Sequence, residues 1–148
     1  MALAERRASV VWNGGLADGN GNVDFESSGA AHLPVTWASR TESPDGKTSP
    51  EEMIAAAHAA CYAMAFSNTL AQAGYTPQQL NVTAVCTLDQ VEGGLKVTES
   101  ALTVSGTVEG DIDQSEFQDL AVKGELGCPV SNALRNNVNV TVNATLES

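Results

Sequence analysis

Residues 48–74, TSPEEMIAAAHAACYAMAFSNTLAQAG, decide the fold. The stretch opens with a helix start: Ser49 supplies a capping hydroxyl, Pro50 stands at the first helical position, and Glu52 at the third completes a capping box. From Met53 onward the residues are strong helix formers, and no proline or glycine intervenes until Gly74, which is placed to end the helix. The expected helix has about 24 residues and a length of roughly 36 Å. Alanine covers so much of its circumference that it should be buried and closely packed on several sides.

The flanking segments alternate rather than repeat with helical spacing. Upstream, residues 8–12 form a short apolar strand, residues 14–21 hold enough Gly, Asp and Asn for a turn, and residues 22–26 return as a strand. Residues 33–37 suggest a third strand, which Pro34 either places at an edge or makes irregular at its start, and residues 39–46, with Pro44 and Gly46, suggest a loop. Downstream, Val82, Ala84, Cys86 and Leu88 share one face of a strand, while Thr83, Val85 and Thr87 share the other. Glu92-Gly93-Gly94 turns the chain, and residues 96–108 return as a long β segment. Asp113, with Glu116 three residues on, starts a helix running to about Leu126. Pro129 suits the first position of a further short helix with Cys128 at its N-cap. In the last strand Val138, Val140, Val142, Ala144 and Leu146 alternate with polar residues. The expectation is one α+β domain over residues 1–148, an antiparallel sheet packed on one long central helix.

The 148 residues carry 7 Lys and Arg against 18 Asp and Glu, a formal charge of −11, so the chain repels nucleic acid phosphates and anionic membranes. Its first fifteen residues contain no apolar export core and no stretch has transmembrane length, which points to a cytoplasmic protein. Cys61, Cys86 and Cys128 are odd in number and widely spaced, which argues against a static disulfide scaffold.

A few side chains could carry chemistry. Cys61, on an alanine-rich helix, is either a small buried hydrophobe or a nucleophile. It lies about eleven residues into the helix, roughly 16 Å from the positive end of the dipole, so any activation has to come from a nearby cation, for which Arg40 is a candidate. Cys128, at a helix N-cap, meets unpaired backbone N–H groups that favour a thiolate, unless it serves only as a cap. Cys86 alternates with core residues and is expected to be structural. His58, three residues before Cys61, could be a base for that thiol, a ligand of a metal together with Cys61, Cys128 and His32, or a packed histidine that supports its neighbours; no short-spaced Cys or His pair supports the metal. Glu51 fits helix-start work, and it could also clamp Arg40 and fix the direction of its remaining donors.

The segments TSPEEMIAAAHAACYAMAF and GCPVSNAL together resemble the OsmC/Ohr family of osmotically inducible and organic hydroperoxide resistance proteins. They join a Pro-Glu helix start, a cysteine ten residues beyond that Glu and a distant Cys-Pro-x-Ser, and HAAC and GCPVS lean toward the OsmC branch. The resemblance spans essentially the whole chain. It implies that Cys61 is the peroxidatic cysteine, Cys128 the resolving cysteine, Arg40 the cation beside the thiolate and Glu51 the carboxylate that orients it. It also implies an intertwined homodimer with sites at the subunit interface, organic hydroperoxide as substrate, a dithiol reductant of lipoyl type, and no cofactor or metal. Helix geometry bears on this, because ten residues separate Glu51 from Cys61, about 15 Å along one axis. Glu51 would then have to serve the site from a second subunit. Tyr62, Met64, Phe66 and the surrounding alanines are expected to form an apolar wall favouring alkyl peroxides. A non-enzymatic redox sensor or small-molecule binding module on the same scaffold is the alternative.

Overall fold

The computed structural model describes residues 1–147, which form two compact units, Met1–Met53 and Ile54 onward. In the first unit β1 (Ser9–Asn13), β2 (Asn20–Asp24) and β3 (His32–Val35) make an antiparallel sheet in that order. Glycine is required on β2, where a Cβ on Gly21 would meet the Trp12 ring at 2.8 Å. Pro34 lies on an edge strand, the first of the two readings its missing N–H allowed. The third strand stops at Val35, short of residue 37, and the loop expected over 39–46 opens with a helix, α1 (Trp37–Thr41). Its cause is a reciprocal cap: Ser39 N–H donates to Thr36 Oγ1 and Thr36 N–H donates to Ser39 Oγ, both at 3.0 Å.

The long helix α2 (Pro50–Gln72) starts where the sequence places it. Glu52 N–H donates to Ser49 Oγ at 3.1 Å, while the Glu52 carboxylate takes the Thr48 hydroxyl at 2.7 Å.

The second unit holds the rest of α2, then β4 (Thr76–Val91), β5 (Gly94–Glu109), α3 (Gln114–Leu126), α4 (Pro129–Leu134) and β6 (Asn139–Leu146). β4 and β5 pair antiparallel through a turn at Gly93 and Gly94, whose φ values of 94° and 134° suit glycine. β6 pairs with β5 in parallel, from Glu99 opposite Asn139 to Gly106 opposite Leu146, so this sheet is mixed rather than wholly antiparallel. The helical crossover through α3 and α4 brings the chain back to the start of β6 and makes that direction possible. The burial of Val138, Val140, Val142, Ala144 and Leu146 against exposed alternates follows the sequence pattern.

The core of this unit combines Tyr62, Phe66 and Leu70 of α2 with Leu102 and Val104 of β5, Phe117 and Ala121 of α3, and Ala144 of β6. The Phe66 ring stands 5.0 Å from that of Phe117 and 5.6 Å from that of Tyr62, whose hydroxyl donates to Ala121 O at 2.8 Å. Each fully buried large apolar side chain contributes about 1.5–3 kcal/mol. Edge strand β6 is covered by glutamines of α3: Gln114 Nε2 donates to Ala144 O, Gln114 Oε1 accepts from Leu146 N–H, and Gln118 Oε1 accepts from Ala144 N–H, at 2.7–2.9 Å. Helix α2 is not buried all round in the single chain. His58, Tyr62, Phe66 and Leu70 face inward, whereas Ala56, Ala60, Met64 and Asn68 form an exposed stripe. Among the described residues no helix is long and apolar enough to cross a membrane.

Candidate active site

Cys61 projects from the middle of α2 and Cys128 caps α4, and the fold of the second unit brings their sulfurs to 3.2 Å. Both are thiols, Cys61 half-buried and Cys128 fully buried. A disulfide needs a separation of about 2.05 Å, so a sulfur displacement of about 1 Å would close the bond. The N-cap geometry expected of Cys128 is present: its Sγ accepts from Ser131 N–H at 3.5 Å, and Pro129 occupies the start of the helix. Cys61 receives a second amide of the same turn, the backbone N–H of Val130.

Burial pushes the Cys61 thiol above its ordinary range, and the neighbouring Cys128 acts in the same direction, while the Val130 N–H bond pulls the other way. The balance is upward, so the second unit alone does not supply the activation that a nucleophilic thiolate requires. The sequence pointed only to an outside cation and missed the Val130 amide.

His58 is fully buried one turn before Cys61, and both ring nitrogens are engaged: Nδ1 with Ser100 Oγ at 2.6 Å and Nε2 with Ser131 Oγ at 2.7 Å. Neither is left for the Cys61 thiol, which favours a packed histidine that supports its neighbours. Desolvation lowers the tendency of His58 to protonate, and the Glu125 carboxylate partly offsets this. Glu125 is itself buried and paired with Arg135 Nη2 at 2.6 Å. His32 belongs to the first unit, where it bonds Asp24 across β2 and β3. Cys86 lies on β4, half-buried on the face that also carries Val82 and Ala84.

Arg40 and Glu51 meet within the first unit. Arg40 Nε lies 3.0 and 3.2 Å from the two Glu51 oxygens and Nη2 lies 2.7 Å from Oε1, a forked clamp with Nη1 outside it. Glu51 is 7% exposed, and the Arg40 guanidinium also stands 5.8 Å from the Trp37 ring centroid. Arg40 borders an apolar cavity of 270 Å³ lined by Trp12, Leu16, Val35, Trp37 and Met53 among others. The expected apolar wall is therefore only partly as read: Tyr62 and Phe66 are fully buried core residues, while Met64 is 73% exposed.

The structure thus pairs Cys61 with Cys128 in one unit and Arg40 with Glu51 in the other. The sequence reasoning missed Ser100, Ser131 and Trp37. Ser131 was visible in GCPVSNAL and Ser100 within a strand, but a serine hydroxyl gives no sign in sequence of a buried partner 73 or 42 residues away.

Comparison with known proteins identifies the family. Residues 43–143 match the family described as OsmC-like protein, a span that holds Glu51, Cys61 and Cys128. The chain is 39% identical to Peroxiredoxin OsmC of Escherichia coli (strain K12) over 133 residues, covering 90% of this chain and 92% of the relative. It is 34% identical over 97 residues to the organic hydroperoxide resistance protein of Xanthomonas axonopodis pv. citri, covering 64% of this chain and 65% of the relative. A crystal structure from Legionella pneumophila, described as the organic hydroperoxide resistance protein OsmC, superposes with a TM-score of 0.76 at 26% identity, covering 98% of this chain and 99% of that one. The chain belongs to the OsmC-like protein family.

Proposed function

We propose that this protein is a cysteine-based peroxidase that reduces organic hydroperoxides to alcohols. The observation that carries this reading is the 3.2 Å approach of Cys61 and Cys128 sulfurs from positions 67 residues apart. The names of the relatives, a peroxiredoxin and an organic hydroperoxide resistance protein, support the reaction class.

In this mechanism the Cys61 thiolate attacks the terminal oxygen of ROOH. The O–O bond breaks, the alkoxide takes up a proton and leaves as alcohol, and Cys61 keeps the OH as a sulfenic acid. The Cys128 sulfur then displaces that OH, forming the Cys61–Cys128 disulfide and releasing water. A dithiol of lipoyl type reopens the disulfide by two exchange steps and leaves as its own cyclic disulfide. No cofactor or metal enters, and the cycle suits the cytoplasm, where dithiol reductants are kept reduced.

Arg40 stabilises the thiolate and the charge developing on the peroxide, with Glu51 holding its guanidinium in direction. Because α2 is one helix, Glu51 precedes Cys61 by about 15 Å of rise, so the clamp serves the Cys61 of a second copy in an intertwined homodimer. The exposed stripe of Ala56, Ala60 and Met64 supports close approach of two such helices. The apolar cavity beside Arg40 would take the alkyl group of the substrate and so favour organic hydroperoxides over hydrogen peroxide.

The test is consumption of tert-butyl hydroperoxide in the presence of excess dihydrolipoamide. Many equivalents consumed per chain, faster than with hydrogen peroxide, are expected. Consumption that stops at one equivalent would instead make the pair a redox sensor.

A further inference from the structure

We infer that His58 is a positioning residue that sets, through Ser131, the separation of the Cys61 and Cys128 sulfurs; this deepens the proposed peroxidase reading and rests on it for its place in the cycle. The imidazole joins three elements at one point. Its own backbone belongs to α2, Nδ1 bonds Ser100 Oγ on β5, the central strand of its sheet, and Nε2 bonds Ser131 Oγ on α4. All three side chains are fully buried, so water does not compete for these bonds. A neutral imidazole has one donor and one acceptor nitrogen, and each serine hydroxyl can answer either role, so the three groups satisfy one another.

The consequence reaches both sulfurs. The backbone N–H of Ser131 donates to Cys128 Sγ, and the N–H of Val130, one residue earlier, reaches Cys61. Helix α4 has only six residues, from Pro129 to Leu134, too few to hold its own direction through internal bonds. The anchor at Ser131 therefore governs where Cys128 stands relative to Cys61, one turn along α2 from His58. In the catalytic cycle the affected step is disulfide closure: the Cys128 sulfur attacks the Cys61 sulfenic sulfur, the S–OH bond breaks, and the OH leaves as water with the thiol proton.

The experiment compares wild type with His58→Asn, Ser131→Ala and the double variant. Asparagine reproduces the reach of Nδ1 but not of Nε2, so it keeps a group for Ser100 and loses the link to Ser131. The first readout is the equilibrium constant of the Cys61–Cys128 disulfide in dithiothreitol redox buffers, which reports the effective concentration of one thiol at the other without any peroxide. Each single variant is expected to lower it by roughly tenfold or more, since misplacement of about 1 Å is enough to produce such losses. The double variant should fall within about twofold of the weaker single, because both changes remove one link. The second readout is Cys61 sulfenic acid trapped by dimedone after one equivalent of tert-butyl hydroperoxide, which should accumulate in the variants and not in wild type.

Unchanged equilibrium constants in both singles, even with lowered melting temperatures, would overturn the inference. So would losses that multiply in the double variant. Should His58→Asn fail to fold, Ser131→Ala, which removes a single oxygen, decides the matter by the same two readouts. Absence of turnover in wild type would remove the peroxidase reading while the disulfide equilibrium still tested the positioning role, so the two failures are distinguishable.

Discussion

At Cys61 burial and the adjacent Cys128 push the thiol above its ordinary range, and the Val130 amide opposes them only in part. A positive charge beside Cys61 would offset this, and Arg40, held in its Glu51 fork, is the charge proposed. Arg40→Ala should raise the Cys61 pKa further, measured by the pH dependence of iodoacetamide alkylation, and should slow peroxide attack roughly 100-fold, the usual scale for losing one preorganised donor. Cys61→Ser should abolish hydroperoxide consumption. Cys128→Ser should still form one sulfenic acid per chain but fail to recycle with dithiol, as peroxide consumption assays will show. His58 makes a different prediction. Its folded pKa lies below the ordinary 6.5, so the unfolded chain binds the proton more readily. That contribution to stability is fully present above pH 6.5 and is lost as pH falls below it toward the folded value. Denaturation midpoints measured from pH 7.5 down to 5 should decline less steeply in His58→Asn than in wild type. The cysteines were legible as residues; the Val130 amide was not, because a backbone N–H carries no sequence label and lies 69 residues beyond the sulfur it reaches.

Elements divide by how strongly local chemistry fixes them. Helix α2 and strand β6 were readable because a cap, a stop and strict alternation each point one way. Helix α1 was not, because five residues held by a Thr36–Ser39 cap look like any polar turn beside Pro44 and Gly46. The parallel pairing of β5 with β6 was also hidden, since alternation reveals which face is buried but not strand direction. The contact of α2 with α3 depends on Gly124, where a Cβ would meet Phe66 Cα at 3.1 Å and Cβ at 3.3 Å. Gly124→Ala gains about 1 kcal/mol of helix propensity but forces two helix backbones apart, typically a cost of about 1–3 kcal/mol. A net destabilisation of up to about 2 kcal/mol is expected in urea unfolding, and a stabilised variant would show that the helices separate freely.

For the whole molecule, the proposed sharing of Arg40 and Cys61 between two chains can be tested by mixing subunits. Arg40→Ala and Cys61→Ser subunits, the first strongly slowed and the second inactive alone, should regain activity when dissociated and mixed. Statistical reassembly gives half mixed dimers with one intact site of two, so about a quarter of wild-type activity is expected if sites are shared. No recovery despite subunit exchange would place Arg40 and Cys61 of one chain in the same site. The formal charge of −11 repels the phosphates of nucleic acid and does not repel a small neutral peroxide.

The most direct test is peptide mapping by mass spectrometry after the reduced protein meets one equivalent of tert-butyl hydroperoxide. The account predicts a single new crosslink joining Cys61 to Cys128, removed again by dihydrolipoamide; a crosslink through Cys86, or no crosslink while peroxide is consumed, would contradict it.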